Sequence, residues 1–575
     1  MILYQHSSAK ARICLAAGLR DAPPNDVKTF RKAPAVLPEI SGSPFFPPTR
    51  RLTSNVRLRS LVSRFSPALW AVLGFVLLLA SLSNDSIDML EAQTWDYAQR
   101  ASFPAFCHAL RIDPNPESQV PLGMFSFWAW ARVFGTGEAA MRSLNLLWAA
   151  LALAALARVG RQLALPWLPA LFAIQPFVWY YTDYARTPLM QMAGGALLLA
   201  GTLGYIRKDF LESLNILLLC LGAILLSGAN IFGLIPLVAV TAGLVTLGVW
   251  RKVRLPASGK ILLFSTLAIL AAFGLFYAST LLRATGGKQL WPVSPANVFF
   301  VGYEFLGFQG LDPGRHHLRA IMKGFAPARE LLPFAFGLLL LAATYLTVLA
   351  AAFKSWLTRD VCPDSPQKEP PGKPFPSTLP HGRPLFLVPA WLMGLGVPLL
   401  SAFLLFLLAC VAGFPFWGSH LAGAFPFWVL ALAITIRWTR QGLWRKAGRL
   451  AVRILVLLLL LSSILIRFSP THKHDDYRTA ATEALRISRT GRTVWWVADH
   501  SGGVYYGLPL ADPAIGKPGE IAFAMNRPAF PSNTPGAIIL SRPDNFDTHG
   551  AATRLLAKGG YTKVRELQAF TVWEK

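Results

Sequence analysis

The sequence NDSIDMLEAQTWD, residues Asn84–Asp96, directly follows the first long apolar segment of the chain, Pro67–Leu82. Its four carboxylates are Asp85, Asp88, Glu91 and Asp96. If the apolar segment crosses a membrane, these carboxylates emerge together at the far surface. Acidic side chains at that depth are costly unless they face a cavity or take part in chemistry, the alternative being an ordinary solvated loop. The stretch therefore predicts membrane-spanning helices with an acidic site at one end.

The composition supports a membrane protein. Of 575 residues, 54% are hydrophobic and only 15% are charged, and the mean hydropathy is +0.44. A soluble protein of this size would need a more charged surface. The net charge of +26 sits mostly in short basic clusters between apolar runs, which is typical of cytoplasmic loops rather than of nucleic-acid binding. Five scattered cysteines without a CxxC pair indicate no disulfide framework or structural zinc.

Eleven apolar segments are long enough to be spans, given that a helix needs about 20 residues to cross the hydrocarbon core. They begin with Pro67–Leu82 and continue as Met141–Ala157, Leu165–Trp179, Leu189–Tyr205, Leu214–Leu226, Ile231–Trp250, Ile261–Leu282, Leu331–Phe353, Leu385–Ala409, Leu421–Ile436 and Ala451–Ile466. This count puts every strongly basic short loop on one side of the membrane. The predicted fold class is therefore a mainly α-helical polytopic membrane protein with about 11 transmembrane helices.

The same pattern predicts the domain organisation. Residues 1–66 are basic and proline-rich and are expected to form a disordered cytoplasmic tail. Residues 67–468 form the transmembrane domain, whose longer extracytoplasmic loops are 83–142 and 283–329. Residues 469–575 return to a soluble composition and are expected to form a small extracytoplasmic α/β domain. Basic clusters on the cytoplasmic side predict a multi-pass protein of a bacterial inner membrane, with its N-terminus in the cytoplasm.

Local patterns place elements outside the spans. The aromatic segment Pro121–Phe134 is short for a span and is expected to be a helix lying in the membrane interface. In the C-terminal domain, helices are predicted at 475–491 and 545–560. Strands are predicted within 492–499, 535–542 and 563–574, from their β-branched and aromatic residues.

Three polar features are expected to meet on the extracytoplasmic side. They are the acidic loop, the segment YYTDYAR (Tyr180–Arg186) and the glycine-rich segment GFQGLDPGRHH (Gly307–His317). Carboxylates, arginines and glycine-rich turns at a membrane surface suit the transfer of a sugar from a lipid phosphate. A carboxylate would accept the proton of the acceptor hydroxyl, and arginine would hold the leaving phosphate.

Several segments, in this order, resemble the membrane glycosyltransferases of the GT-C superfamily. They are LEAQTWDYA (Leu90–Ala98), QVPLGMFSFWAWARVFGTGEAAMRSL (Gln119–Leu144), ARVGRQL (Ala157–Leu163), PFVWYYTDYAR (Pro176–Arg186), YEFLGFQGLDPGRHHLR (Tyr303–Arg319) and FWGSHLAGAFPFWVLAL (Phe416–Leu432). Relatives of this type include protein O-mannosyltransferases and lipid A aminoarabinose transferases, grouped as bacterial glycosyltransferase family 39-like proteins. The resemblance implies a polyprenyl-phosphate-linked sugar donor and an extracytoplasmic acceptor.

The resemblance also implies a general base in the first loop. Such proteins usually carry an Asp-Glu pair there, but Leu90 stands at the aspartate position of this chain and only Glu91 remains. Glu91 is therefore the first candidate for the base, and Asp88 the second. Asp183 is the one carboxylate of the segment after the third span, displaced from the family's second acidic site.

Four further residues are candidates for binding the donor or the acceptor. Arg186 and Arg315 are placed to hold the lipid phosphate, although each would equally serve as a turn cap or reach toward lipid head groups. Tyr184 and His420 are placed to contact a substrate, although an interfacial packing role fits His420 as well.

The histidines elsewhere suggest no cofactor. The pair His316–His317 and the run HKHDD (His472–Asp476) are expected to be solvated, with a divalent metal as the weaker reading. The expected partners are a lipid-linked sugar donor, the membrane and a glycan, lipid or protein acceptor. Two alternatives stay open: a non-catalytic protein that binds lipid-linked glycans, and a transporter or flippase for a lipid-linked sugar.

Overall fold

The structure is a computed structural model. It describes residues 52–112, 120–206, 213–251, 257–283, 293–314, 317–318, 321, 327–359, 387–414, 416–440, 445–511, 518–527 and 534–575. The part of the predicted tail before residue 52 and the candidate Arg315 lie outside these residues.

Most of the described chain before residue 469 is helical. The helices are α1 (Leu52–Leu79), α2 (Met89–Ala98), α3 (Phe103–Ile112), α4 (Pro121–Phe134), α5 (Glu138–Gln162), α6 (Leu168–Ala173), α7 (Pro176–Thr182), α8 (Pro188–Ile206), α9 (Ser213–Ala229), α10 (Leu234–Arg251), α11 (Ala257–Arg283), α12 (Pro295–Phe305), α13 (Leu332–Arg359), α14 (Leu387–Ala412), α15 (Phe425–Thr439) and α16 (Arg445–Phe468). Seven helices of the described residues are long and apolar enough to cross a membrane, and three shorter ones are also apolar. The chain is a multi-pass membrane protein with a mainly helical fold, as predicted.

The predicted third span differs from the structure. Leu165–Trp179 is divided between α6 and α7, which are separated at Ile174 and Gln175. Pro176 causes the break, because proline has no N–H to donate and pushes the preceding residue out of the helical region. Gln175 accordingly has ψ of 130°. The predicted count of 11 is not confirmed, and α1 begins at Leu52, ahead of the predicted Pro67.

Small residues let the central helices pack closely. The segments Pro188–Ile206 and Gly418–Thr439 are the most buried of the candidate spans. Gly195 lies so near Gly423 that a Cβ on Gly195 would be 2.0 Å from the Gly423 carbonyl oxygen. Close helix contact through small residues is the usual mode of packing in membranes. These two segments form the core around which the more exposed apolar helices are arranged.

The basic ends of several helices lie on one side. Arg437, near the end of α15, donates from Nη1 to the Leu163 carbonyl after α5, at 2.8 Å. Arg158 of α5 donates to Asn215 at the start of α9, at 2.8 Å. Basic residues predicted for cytoplasmic loops are therefore brought together by the fold, while the carboxylates of the first loop lie beyond the opposite end of α5.

The C-terminal region is an α/β domain, as predicted. Its helices are α17 (Tyr477–Ser488), α18 (His500–Tyr505), α19 (Pro543–Phe546) and α20 (Ala551–Lys558), and its strands are β1 (Val494–Val497), β2 (Leu510–Ala511), β3 (Ile521–Phe523), β4 (Ala537–Ser541), β5 (Thr562–Leu567) and β6 (Phe570–Glu574). The sheet order is β2-β3-β1-β4-β6-β5. Strands β2, β3, β1 and β4 are parallel to one another, and β6 is antiparallel to both of its neighbours, β4 and β5. The short strands β2 and β3 were not predicted.

Candidate functional site

The site is organised around Arg142, which the sequence analysis did not select. Arg142 lies in the second turn of α5, and its side chain is fully buried. Its Nε and Nη2 donate to the two carboxylate oxygens of Glu91, at 2.8 and 2.7 Å. The remaining donors reach the Ser83 hydroxyl, the Asp85 carbonyl and the Ser86 carbonyl. One bidentate ion pair and three loop contacts thus fasten the acidic loop to α5.

Asp88 has a structural role at the start of α2. Its Oδ1 accepts the backbone N–H groups of Leu90 and Glu91, at 2.8 and 2.9 Å. Glu91 Oε2 in turn accepts the Asp88 N–H at 3.2 Å, which completes a capping box. The second candidate base is therefore engaged in capping, because it satisfies backbone donors that α2 itself leaves unpaired.

His474 lies between the carboxylates of Asp183 and Glu91. Asp183 follows α7, and its Oδ1 accepts the Ser83 N–H at 2.6 Å. Its Oδ2 is 3.6 Å from His474 Nε2, and His474 Nδ1 is 3.6 Å from Glu91 Oε2. The imidazole therefore lies between the two carboxylates, with Arg142 Nε 4.0 Å from Asp183 on the same side.

The expectation that the HKHDD run is solvated was wrong. The His474 side chain is only 9% exposed, and its ring stacks on Tyr184, with centroids 5.8 Å apart. Asp475 is fully buried and forms an ion pair with Arg542 after β4. Asp476 caps α17 by accepting the Thr479 N–H. The run connects the last membrane helix to the C-terminal domain, and no local pattern indicates that this connection folds back onto the first loop.

The charges in this cluster balance. Burial alone would lower the pKa of His474, and Arg142 acts in the same direction, but Glu91 and Asp183 outweigh both and raise it. Burial alone would raise the pKa of Asp183, but His474 and Arg142 outweigh burial and lower it. The two shifts favour an ionised carboxylate beside an imidazolium, so that two positive and two negative groups face one another.

A cleft opens beside Asp183 and His474. It has two adjoining parts. Both parts are lined by Tyr180, Ile466, His472 and His474. Asp183 lines the smaller part, whereas the Glu91 side chain has no exposed surface. Of the three candidate bases Glu91, Asp88 and Asp183, only Asp183 lines the cleft, and Asp85 of the first loop also lines its smaller part.

Arg467, at the end of α16, supplies a positive charge to the smaller part of the cleft. Among the residues that the structure describes, no ion pair or hydrogen bond engages its guanidinium, and its Nε is buried without a partner. A partly buried, unpaired guanidinium is a favourable position for an anion. Arg467 was not among the residues predicted from the sequence, because an arginine at the end of a span ordinarily reaches toward the membrane surface.

The larger part of the cleft contains a second polar group. Glu304 of α12 accepts the Gly418 N–H at 2.6 Å and the Gln309 amide at 3.0 Å. Tyr303 donates to Asp312 in the segment predicted to reach the site. Burial lowers the pKa of His472 to about 4, so this imidazole is neutral at physiological pH. Hydrogen-bonding groups and aromatic rings thus line the wider end.

The other candidate residues occupy different positions. Tyr184 is buried against His474 and orients its ring. Arg186 extends to the Leu90 carbonyl at 3.4 Å. His420 accepts the Trp417 N–H through Nδ1 and packs on Phe232, with ring centroids 4.5 Å apart. These contacts agree with the packing role that the sequence analysis gave as the alternative to substrate binding. Elsewhere, His317 pairs with Glu330. Within the described ranges, no group of three or more His, Cys, Asp or Glu residues is placed to hold a metal ion.

No protein-family model and no curated protein matches the sequence. The structure is similar to the crystal structure of ArnT from Cupriavidus metallidurans in the apo state, with 12% sequence identity and a TM-score of 0.41. It is also similar to the structure of that ArnT bound to undecaprenyl phosphate, with 12% identity and a TM-score of 0.38. Each alignment covers 88% of this chain and 97% of the ArnT chain. Similarity at this level assigns neither a ligand nor a residue role to this chain.

Proposed function

We propose that this protein is a membrane glycosyltransferase that moves a sugar from a polyprenyl-phosphate donor to an extracytoplasmic hydroxyl acceptor. One observation carries the proposal: an accessible carboxylate, Asp183, lies beside His474 in a cleft that also contains the unpaired Arg467. This cleft opens where apolar helices end. A lipid tail can therefore stay among the helices while its phosphate enters the cleft.

Asp183 is the general base. The acceptor oxygen bonds to the anomeric carbon, the bond from that carbon to the phosphate oxygen breaks with its electron pair, and the hydroxyl proton passes to Asp183. The hydroxyl becomes acidic as it bonds to an oxocarbenium-like carbon, so an ionised carboxylate of low pKa suffices. Glu91 is less suited than the sequence analysis expected, because both of its oxygens are bound to Arg142. Its role is to position Arg142 and His474.

Arg467 holds the leaving phosphate. Negative charge grows on the phosphate as the glycosidic bond breaks, and a preorganised guanidinium stabilises that charge most where water is partly excluded. The protonated His474 adds a second positive charge in the same part of the cleft. Arg186, the candidate chosen from sequence, donates to the Leu90 carbonyl in the acidic loop and supports it.

The side of the membrane on which the cleft lies is inferred from the basic ends of the helices. Arg158 and Arg437 lie at the end of α5 away from the carboxylates. Cytoplasmic loops carry the excess of arginine and lysine, which supports an extracytoplasmic position for the cleft and the C-terminal domain. The proposed membrane is a bacterial inner membrane, as the sequence predicts. The acceptor is a glycan, lipid or protein of that compartment.

Asp183→Asn tests the proposal, with Asp96→Asn as the matched control. Asp96 carries a comparable charge on the far side of α2, where it pairs with Arg100 and is 38% exposed. We expect the Asp183 variant in lipid nanodiscs to lose about 10²- to 10⁴-fold in the rate of sugar transfer from a polyprenyl-phosphate donor, and the control to keep its rate. Donor binding should survive in both. Equal transfer by the Asp183 variant and the wild type would refute the assignment of the base.

A further inference from the structure

The carboxyl ends of strands β1 and β4 form a crevice in the C-terminal sheet. Strand β1 is flanked by β3 on one side and β4 on the other, all parallel, and the chain passes from β3 to β4 across β1. The strand order thus reverses direction at β1. In open α/β sheets such a switch point is where ligands bind, beyond the carboxyl ends of the strands.

In this protein the first loop of the same chain fills that crevice. Met89, the first residue of α2, packs against the apolar clusters on both faces of the sheet, one containing Trp496 and Ile539, the other Trp495 and Ile538. A side chain can touch both faces only where the sheet stops, and Arg542, which follows β4, lies near Met89. The first residue of α2 therefore lies at the carboxyl end of β4.

Arg542 connects this contact to the candidate site. It follows β4 directly, with the unusual φ of 34°, and its side chain is 10% exposed. Its Nη1 is 4.0 Å from Met89 Sδ, and its Nη2 binds Asp475. Met89 is two residues before Glu91, and Asp475 directly follows His474. One buried guanidinium therefore contacts both chain segments that carry the site.

Polar contacts seal the rim of the same interface. Tyr506, after α18, accepts the Ile87 N–H at 3.0 Å and donates to Glu138 at 3.0 Å. Arg478 of α17 also binds Glu138, at 2.8 Å, and the Asn84 carbonyl, at 2.9 Å. The loop is thus held by the domain on one side, as it is held by Arg142 on the other.

We propose that the strand-end crevice of the C-terminal domain is an internal docking site for the first loop, and that Met89 and Arg542 are positioning residues that place His474 between Glu91 and Asp183. The importance of this placement for sugar transfer rests on the proposed function; the docking itself does not. The crevice holds the first loop in place and does not bind the acceptor. Undocking withdraws His474 from the carboxylates and leaves the membrane helices unchanged.

The experiment measures the accessibility of His474 in the full-length protein in nanodiscs. Its acylation by diethyl pyrocarbonate at fixed pH is followed by tandem mass spectrometry. Met89→Ala removes the apolar contact, and Arg542→Gln removes the guanidinium. We expect each to raise the acylation rate of His474 by about tenfold or more, because local opening exposes a buried group. Met89→Leu, which keeps a similar volume, should restore the wild-type rate.

Met525→Ala is the matched control. Met525 packs against only one of the two clusters, so its truncation weakens the domain while Met89 and Arg542 stay in place. It should lower thermal stability yet leave the acylation of His474 near the wild-type rate. If it raises acylation as much as Met89→Ala does, or if Met89→Ala leaves acylation unchanged, the docking proposal is wrong.

The two proposals fail separately. If no variant and no wild-type sample transfers sugar, while His474 still becomes accessible in Met89→Ala, the docking role stands and the proposed function falls. If transfer is present, we expect Met89→Ala to lower kcat about tenfold, because the charge of His474 leaves the cleft while Arg467 stays. Unchanged kcat together with unchanged acylation would remove the docking role alone.

Discussion

Glu91 and Arg142 form an ion pair from which water is fully excluded, with both side chains at 0% exposure. Removing one partner of such a pair leaves a buried, uncompensated charge, which costs about 3–5 kcal/mol. We expect Glu91→Gln to lower the free energy of unfolding by that order, and thermal unfolding in nanodiscs measures it. The double variant Glu91→Gln/Arg142→Met should be more stable than Glu91→Gln alone. If the single variant is as stable as the wild type, Glu91 is not the anchor of the loop.

The pH dependence of the site follows from the shifts at Asp183 and His474. The pKa of Asp183 is lowered, so its contribution to folding is present above its unfolded value of about 3.9 and is lost as pH falls through the folded value. The pKa of His474 is raised, so its contribution is complete below about 6.5 and is lost as pH rises through the folded value.

Sugar transfer should show the same two limits. We expect activity to decline at acid pH as Asp183 takes up a proton, and to decline at alkaline pH as His474 loses its charge. In His474→Gln the alkaline decline should disappear, at a lower maximum rate. The pH profile of kcat/KM for both proteins tests this, with His549→Gln, a change at an exposed position far along the chain, as control. An alkaline limb that persists in His474→Gln belongs to another group.

At the scale of the element, substitutions at the start of α2 test whether Asp88 is a helix cap or a general base. Asparagine caps a helix about as well as aspartate, whereas alanine costs about 1 kcal/mol. If Asp88 acts only through the hydrogen bonds to Leu90 and Glu91, Asp88→Asn should transfer sugar at close to the wild-type rate. Asp88→Ala should lose stability and part of the rate. Steady-state transfer by both variants decides this, because a general base would be inactivated equally by either change.

The break between α6 and α7 shows how an element boundary positions a functional group. Periodicity and hydropathy predicted one span over Leu165–Trp179, because apolar composition alone does not reveal a change of direction. Pro176 was visible in the sequence as the physical cause. Asp183 owes its position to this break, since α7 ends where Asp183 accepts the Ser83 N–H.

At the scale of the whole molecule, the proposed orientation predicts opposite labelling of two positions. Lys558 in the C-terminal domain and Arg440 after α15 are both exposed. In a variant without native cysteines, Lys558→Cys should react with a membrane-impermeant maleimide in intact cells. Arg440→Cys should react only after the cells are permeabilised. Mass-shift gels after labelling measure both, and labelling of Arg440→Cys in intact cells would reverse the orientation.

The sequence by itself determined the elements and the kind of protein. Long apolar runs place nearly all the membrane helices, since hydrocarbon tolerates only backbone that bonds within its own segment. β-Branched and aromatic residues located β1, β4 and β6, and the carboxylates after the first apolar segment predicted an acidic site there. The positions of helices and strands are local properties, because they depend mainly on interactions between residues that are neighbours in the chain.

Only the tertiary structure decided which of the three candidate bases lines the cleft. Glu91, Asp88 and Asp183 look alike in sequence, but one is bound by Arg142, one caps α2 and one lines the cleft. Arg142 and His474 are separated from Glu91 by long stretches of chain, so no local pattern pairs them. Burial and charge balance bring them together, because an ionised group inside a protein is stable only where its counter-charges and hydrogen-bond partners are supplied by distant segments.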